Sequence, residues 1–228
     1  MDFPGLADRL ASVRDRIRHH QARGGWTHPV RIVAVTKAQG AEAVRAALAA
    51  GLEDVGENRV QEALAKQEQL PDVPVRWHLI GSLQRNKARH AAGRFVLIHS
   101  IDRADLAQEL DRRIAAGSRQ AVLVEVNCSG EAQKAGVDPA ALPALLEVIA
   151  ALPRLELRGL MTLAALTGEA SVQRAAFGRL RELRDRMRAA GHPVSELSMG
   201  MSGDYTVAVE EGATMIRLGT LLFGERSP

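Results

Sequence analysis

Stretches rich in β-branched residues alternate with helical patterns eight times along 228 residues, the connections are short, and no linker interrupts the alternation. That arrangement predicts an α/β fold and, at eight units, a closed (β/α)8 TIM barrel with an extra N-terminal helix. The competing solution, an open doubly wound sheet, ordinarily binds its ligand through a glycine-rich turn after the first strand. Here that turn reads Lys37-Ala38-Gln39-Gly40, with neither a GxGxxG nor a Walker A pattern, so the barrel is preferred. Residues 1–228 read as one such domain, with 1–25 as the N-terminal helix and lead-in.

The N-terminal helix rests on apolar residues at Leu6, Leu10, Val13 and Ile17, a helical spacing closed by Gly24-Gly25. Val30 to Lys37 is a run of valine and isoleucine suited to a strand covered on both faces. Ala41 to Ala50 is helical and stops at Gly51, Asp54 to Asn58 forms the second strand, and Arg59 to Leu70 a helix ahead of Pro71 and Pro74. Arg76 to Gly81 is the third strand, Gln84 to Ala92 a basic helix, and Val96 to Ile101 the fourth strand. Asp102 is placed to cap a helix reaching Ala116, and Ala121 to Asn127 reads as a buried fifth strand. Asp138 to Leu152 is helical, with Pro143 near its first turn, where proline is tolerated. Leu157 to Met161, Glu196 to Met199 and Met215 to Leu218 supply the last three strands, separated by helices Ser171 to Ala190 and Asp204 to Glu211. Leu221 to Arg226 closes the chain.

Apolar residues at 46% provide ample core, while aromatics at 3% leave little material for a base-stacking platform or a membrane belt. The formal charge of +3 arises from 30 basic and 27 acidic residues that are mostly interleaved, as on a solvated surface. The densest basic run, Arg174 to Arg188, carries Glu182 and Asp185 within it and reads as an amphipathic surface helix rather than a nucleic-acid face. Cys128 stands alone, which excludes an intrachain disulfide and a Cys-built zinc site and fits a buried structural thiol. No HExxH or carboxylate cluster suggests a metal. With no signal peptide and no apolar run of bilayer length, a cytoplasmic monomer without nucleic-acid or membrane partners is expected.

In such a barrel, side chains at the carboxyl ends of the strands converge on one site, and the loops after strands seven and eight commonly hold phosphate. Strand seven leads into Ser198 to Asp204, with two serine hydroxyls and backbone amides before a helix; strand eight leads into Arg217 to Thr220, where Gly219 admits close backbone approach. Turn-making alone accounts for glycine and serine in either loop. Together, in the slots the fold provides, they read as a phosphate cradle. Closure sets strand eight beside strand one, and neighbouring strands lie roughly 5 Å apart, so Lys37 is expected one or two strand spacings from that cradle. A lysine ending a strand is more often a solvated surface group. An amine desolvated in a barrel mouth near Arg217, however, loses its proton more readily and can form a Schiff base with a small phosphorylated aldehyde. This is the physical case for pyridoxal 5'-phosphate.

The motifs AVTK (Ala34 to Lys37), GENRVQE (Gly56 to Glu62), WHLIGSLQRNK (Trp77 to Lys87), HSID (His99 to Asp102), LSMGMSGD (Leu197 to Asp204) and IRLGTLLFG (Ile216 to Gly224) follow one another from about residue 30 to the C-terminus. In that order they resemble the pyridoxal phosphate homeostasis protein family, which is similar to the barrel half of the alanine racemases, the third fold type of pyridoxal phosphate proteins. The resemblance implies that Lys37 forms the Schiff base, that Ser202, Gly219 and Thr220 hold the phosphate with Ser198 and Met201 of the same loop alongside, that Arg217 faces the pyridine nitrogen, and that Asn58 and His78 line the ring. It also implies intracellular cofactor homeostasis without efficient turnover, with apo-enzymes as acceptors. An arginine at the ring nitrogen makes a poor electron sink, and the racemases take an opposing tyrosine from a second domain and partner subunit. The only tyrosine here, Tyr205, lies beside the phosphate loop. A pyridoxal phosphate-dependent amino-acid racemase is the alternative; a lysine-dependent aldolase, which would show no chromophore, and an interaction module built on the basic helix stand behind it.

Overall fold

In the computed structural model, which describes residues 3–131 and 133–224, the strands are β1 (Arg31–Val35), β2 (Asp54–Glu57), β3 (Arg76–Leu79), β4 (Leu97–Ile101), β5 (Gln120–Glu125), β6 (Leu155–Met161), β7 (Glu196–Ser198) and β8 (Met215–Leu218). They pair in parallel in sequence order and close into a barrel, with Val33 of β1 opposite Arg217 of β8 and Ala34 opposite Leu218. Helix α1 (Leu6–Gly24) precedes the barrel. Helices α2 (Ala41–Ala49), α3 (Val60–Gln69), α4 (Ala88–Ala91), α5 (Ala104–Arg113), α6 (Leu142–Ala150), α7 (Ala170–Ala189), α8 (Tyr205–Glu210) and α9 (Thr220–Phe223) each follow a strand.

The period of two along each strand divides the core into two layers. Ile32 and Ala34 face outward, into the continuous apolar layer that the strands share with the helices, whereas Val33 faces inward with Leu97, Leu123, Met161 and Met215. The remaining interior is unusually polar. Asp54, His78, His99, Ser198 and Arg217 are all buried, where a barrel of this type ordinarily carries branched aliphatic side chains.

Helix α1 buries Leu6, Leu10, Val13 and Ile17, the four positions its spacing singled out. It packs on α8 and α9, where Arg9 Nε donates to the Leu222 carbonyl at 2.8 Å, and beyond its end Trp26 Nε1 donates to the Glu210 carbonyl at 2.8 Å. No helix among the described residues is long and apolar enough to cross a membrane.

Several boundaries differ from the sequence expectation. β1 ends at Val35, which leaves Lys37 in the turn beyond it. The basic helix expected over Gln84 to Ala92 is a 3-10 turn, Arg85–Lys87, followed by the single turn of α4. Asp102 does not cap α5: Arg103 holds the cap position, and the Asp102 carboxylate accepts instead from Arg103 Nη1 at 2.6 Å. α6 starts at Leu142 rather than Asp138, with Pro143 in its first turn. The closing helix ends at Phe223, and residues 225 and 226 of the expected closing segment lie outside the described residues.

Candidate functional site

The carboxyl ends of the strands surround a cavity of about 380 Å3, within the roughly 300–1,000 Å3 of small-molecule sites. Lys37, Asn58, Met201, Ser202, Arg217, Gly219 and Thr220 line it, together with Glu125, Ile80 and Leu163.

The loop after β7 is held by its own backbone. Gly200 has φ 94°, and a Cβ there would stand 2.6 Å from Ala208 Cβ, so the turn requires glycine. Its carbonyl accepts from the Arg217 amide at 2.9 Å, while Asp204 Oδ1 accepts from the Met201 amide at 2.5 Å. Ser202 Oγ then accepts from the amides of Gly219 and Leu221, both at 3.3 Å, joining the loops after β7 and β8. The amides of Ser202, Gly203 and Thr220 have no acceptor among the described residues. Unpaired amides beside two hydroxyls make an anion-binding concavity.

Lys37 leaves β1 through a turn clamped from below. Thr36 Oγ1 donates to Glu57 Oε1 at 2.5 Å, Lys66 Nζ donates to the same oxygen at 2.6 Å and to the Thr36 carbonyl at 2.7 Å, and Glu62 Oε1 accepts from the Ala38 amide at 2.5 Å. Ala38 itself adopts φ 55°, unusual for a residue with a side chain. Glu57, Glu62 and Lys66 therefore position the lysine, a role that sequence reading missed even though Glu57 and Glu62 lie in a recognised motif and Lys66 follows Glu62 by one helical turn. Lys37 itself is exposed at the rim, not desolvated as the sequence suggested.

Two of the expected residues are elsewhere. His78 and Ser198 lie one layer beneath the mouth, because two residues further along the same inward faces Ile80 and Gly200 take the positions nearer the rim. His78 Nε2 is 2.8 Å from Asp54 Oδ1 and its Nδ1 is 3.0 Å from His99 Nε2, so it packs within the barrel instead of lining the cavity. Ser198 Oγ accepts from Arg217 Nη1 at 2.5 Å and lies 2.9 Å from His99 Nδ1.

Electrostatically the cavity is dominated by two buried groups. Arg217 is 3% exposed, and burial brings its guanidinium down to about 10, opposed by the charges of Asp204 and Glu125. Glu125, missed from sequence, is 4% exposed; burial, with the nearby Asp102 charge, pushes its carboxyl up to about 7 against the pull of Arg217. Its signal was the charged residue at an inward position after the apolar run Ala121 to Val124. Cys128 is buried and its thiol is pushed up to about 11 by that burial, as an inert structural thiol requires. Tyr205 is 3% exposed within the outer apolar layer.

Residues 9–227 match the family model described as alanine racemase, N-terminal domain. The chain is 48% identical over 223 residues to the pyridoxal phosphate homeostasis protein of Pseudomonas aeruginosa, covering 97% of this chain and 96% of that protein. It is 37% identical over 226 residues to the protein of that description in Escherichia coli strain K12, covering 97% of each. The solved structure of PipY from Synechococcus elongatus with PLP bound matches at a TM-score of 0.84 and 42% identity, over 96% of this chain and 100% of that one. An alanine racemase of Clostridium difficile matches at a TM-score of 0.71 and 16% identity, over 94% of this chain and 57% of that one, which is a likeness of fold.

Proposed function

The chain belongs to the pyridoxal phosphate homeostasis proteins, within the alanine racemase N-terminal domain family, and from that premise we propose that it holds pyridoxal 5'-phosphate at the barrel mouth through a reversible Schiff base on Lys37 and passes it to apo-enzymes without efficient turnover. One observation carries this reading: Lys37, both loops after β7 and β8, and Arg217 gather around a single cavity.

The residues present fit the group. Three unpaired amides with the hydroxyls of Ser202 and Thr220 suit a phosphate, the Lys37 amine stands in the turn just beyond the neighbouring strand, and Arg217 provides a buried cation on the cavity wall. When bound, pyridoxal phosphate supplies an electron-withdrawing ring that stabilises negative charge on an attached carbon. Arg217, a buried cation on the cavity wall, would discourage protonation of a ring nitrogen held against it and so weaken that capacity. No tyrosine lines the cavity, since Tyr205 is packed in the outer layer. A general acid opposite Lys37 is therefore not supplied by a phenol of this chain.

The test is the visible absorption spectrum of the purified protein with added cofactor, before and after borohydride. We expect a chromophore that borohydride fixes to the Lys37 peptide and that Lys37→Ala abolishes without altering the fold, because the exposed side chain contributes no core packing. Covalent labelling of the variant at Lys87 or Lys134 would overturn the assignment.

A further inference from the structure

Beneath the cavity a row of side chains crosses the barrel from one end to the other. Arg217 Nη1 donates to Ser198 Oγ at 2.5 Å, Ser198 Oγ lies 2.9 Å from His99 Nδ1, His99 Nε2 lies 3.0 Å from His78 Nδ1, and His78 Nε2 lies 2.8 Å from Asp54 Oδ1. Arg76 completes the row with Nε and Nη2 on the two Asp54 oxygens at 2.8 and 2.7 Å. Arg217 lines the mouth at the carboxyl ends of the strands, whereas Asp54, Arg76 and His78 line a second opening that also includes Arg31, at the start of β1. All members except Arg76 are buried.

The two ends dictate every proton between them. A guanidinium only donates. Burial raises the Asp54 carboxyl, but the hydrogen bonds from His78 and Arg76, with the charge of Arg76, outweigh it and bring the group to about 2, so at neutral pH it only accepts. His78 must then carry its proton on Nε2 and accept on Nδ1. His99 in turn donates from Nε2, and its Nδ1 accepts the Ser198 hydroxyl, whose oxygen receives Arg217. Reversed polarity would leave the Ser198 hydroxyl hydrogen without an acceptor among the described residues. His99 is held neutral: burial above all, with the nearby charges of Arg217 and Arg31, pushes its pKa well below the usual imidazole range.

We propose that Asp54, His78, His99 and Ser198 form a one-way hydrogen-bond relay whose members are positioning residues, acting on bound cofactor through Arg217. This rests on the reading of Arg217 as the group that faces the cofactor ring. Among the described residues the guanidinium is gripped by neutral oxygens alone, Ser198 Oγ and the Thr162 carbonyl at 3.0 Å, with no carboxylate in contact, so its positive charge is directed at the cavity. Asp54, the anion that ends the relay, is kept at a distance by three neutral side chains. With the relay broken, Arg217 is free to turn toward Glu125 or Asp204, whose charges already attract it, and the field on the cofactor changes.

The polarity is tested in cofactor-free protein by 15N NMR of the imidazoles. His78 and His99 are each expected to carry the Nε2 proton and to accept on Nδ1. Asp54→Asn, which exchanges an acceptor-only end for an amide that also donates, is expected to introduce the second tautomer at both. The action on the cofactor is tested by titrating its visible band in Ser198→Ala and Asp54→Asn at saturating pyridoxal phosphate. The midpoint is expected to move by about one pH unit, a tenfold change in the ratio of protonation states, with the yield of borohydride-fixed cofactor unchanged. A proton on Nδ1 of either histidine in the wild-type protein overturns the relay, and an unmoved midpoint in both variants overturns its influence on the cofactor. Absence of any chromophore in the wild-type protein overturns the cofactor reading and with it the role given to the relay, while the NMR result reports on polarity separately.

Discussion

Glu125 ends β5 inside the cavity, and its carboxyl has no hydrogen-bond donor among the described residues. Its pKa of about 7 in the folded chain against 4.5 for a free glutamate makes folding favour the protonated form. Between pH 4.5 and 7 the unfolded chain therefore binds fewer protons than the native one, and stability falls as pH rises through that window. The penalty above it is about 3 kcal/mol. Glu125→Gln is expected to be more stable than the wild-type protein above pH 7, with the difference vanishing below pH 4.5. Urea unfolding of the cofactor-free proteins on either side of the window checks this, and equal gains on both sides would mean that packing rather than ionisation is responsible. At this scale Lys37 was readable because a strand end and a following turn are local features. Glu125 was legible only as a polar residue at an inward position, because its burial and its neighbours Asp102 and Arg217 come from distant parts of the chain.

At the scale of elements, the loops after β7 and β8 act as one unit through Ser202. Ser202→Ala removes the acceptor for two amides as well as the hydroxyl proposed to donate to phosphate, and Thr220→Ala removes the other cavity hydroxyl of that proposal. A hydrogen bond to a charged group contributes roughly 1.5–3 kcal/mol, so each variant is expected to raise the dissociation constant for pyridoxal phosphate about tenfold to a hundredfold. Equilibrium titration of the visible band measures it; unchanged affinity in both would place the phosphate elsewhere. Gly200→Ala is expected to be harsher, since φ 94° and a Cβ at 2.6 Å from Ala208 oppose it together. A loss of about 1–3 kcal/mol in urea unfolding, accompanied by weaker cofactor binding as the Gly200 carbonyl leaves the Arg217 amide, is the expected result. The turn chemistry of these loops was plain in the sequence. The failed cap at Asp102 was not, because Arg103 and Asp102 pair with each other instead.

For the whole molecule, α1 ties the chain's beginning to α8 and α9, the helices that follow β7 and β8, and Leu10 at its centre is 2% exposed. Leu10→Ala is expected to cost about 2–5 kcal/mol, read as a lower urea midpoint for the entire barrel rather than as local fraying. The functional expectation at this scale is holding without chemistry. With cofactor bound, exchange of the α-proton of alanine into deuterated water, followed by NMR, is expected to be slower than about 1 s⁻¹; faster exchange would favour the amino-acid racemase reading.

The order and direction of the strands, closure into a barrel, and the positions of Lys37 and of the loops after β7 and β8 were all determined by local signals: a run of β-branched residues, a period of two or 3.6, a turn residue at a strand end. Depth was decided only in three dimensions. His78 and Ser198 sit on strands that the sequence placed correctly, yet both fall one layer below the mouth, since the stagger between neighbouring strands sets which inward residue reaches the rim. The relay partners are 24 residues apart between Asp54 and His78 and 99 apart between His99 and Ser198. Such pairings exist only once the barrel has closed and brought those inward faces together, because a hydrogen bond depends on distances across the interior that no local pattern along the chain encodes.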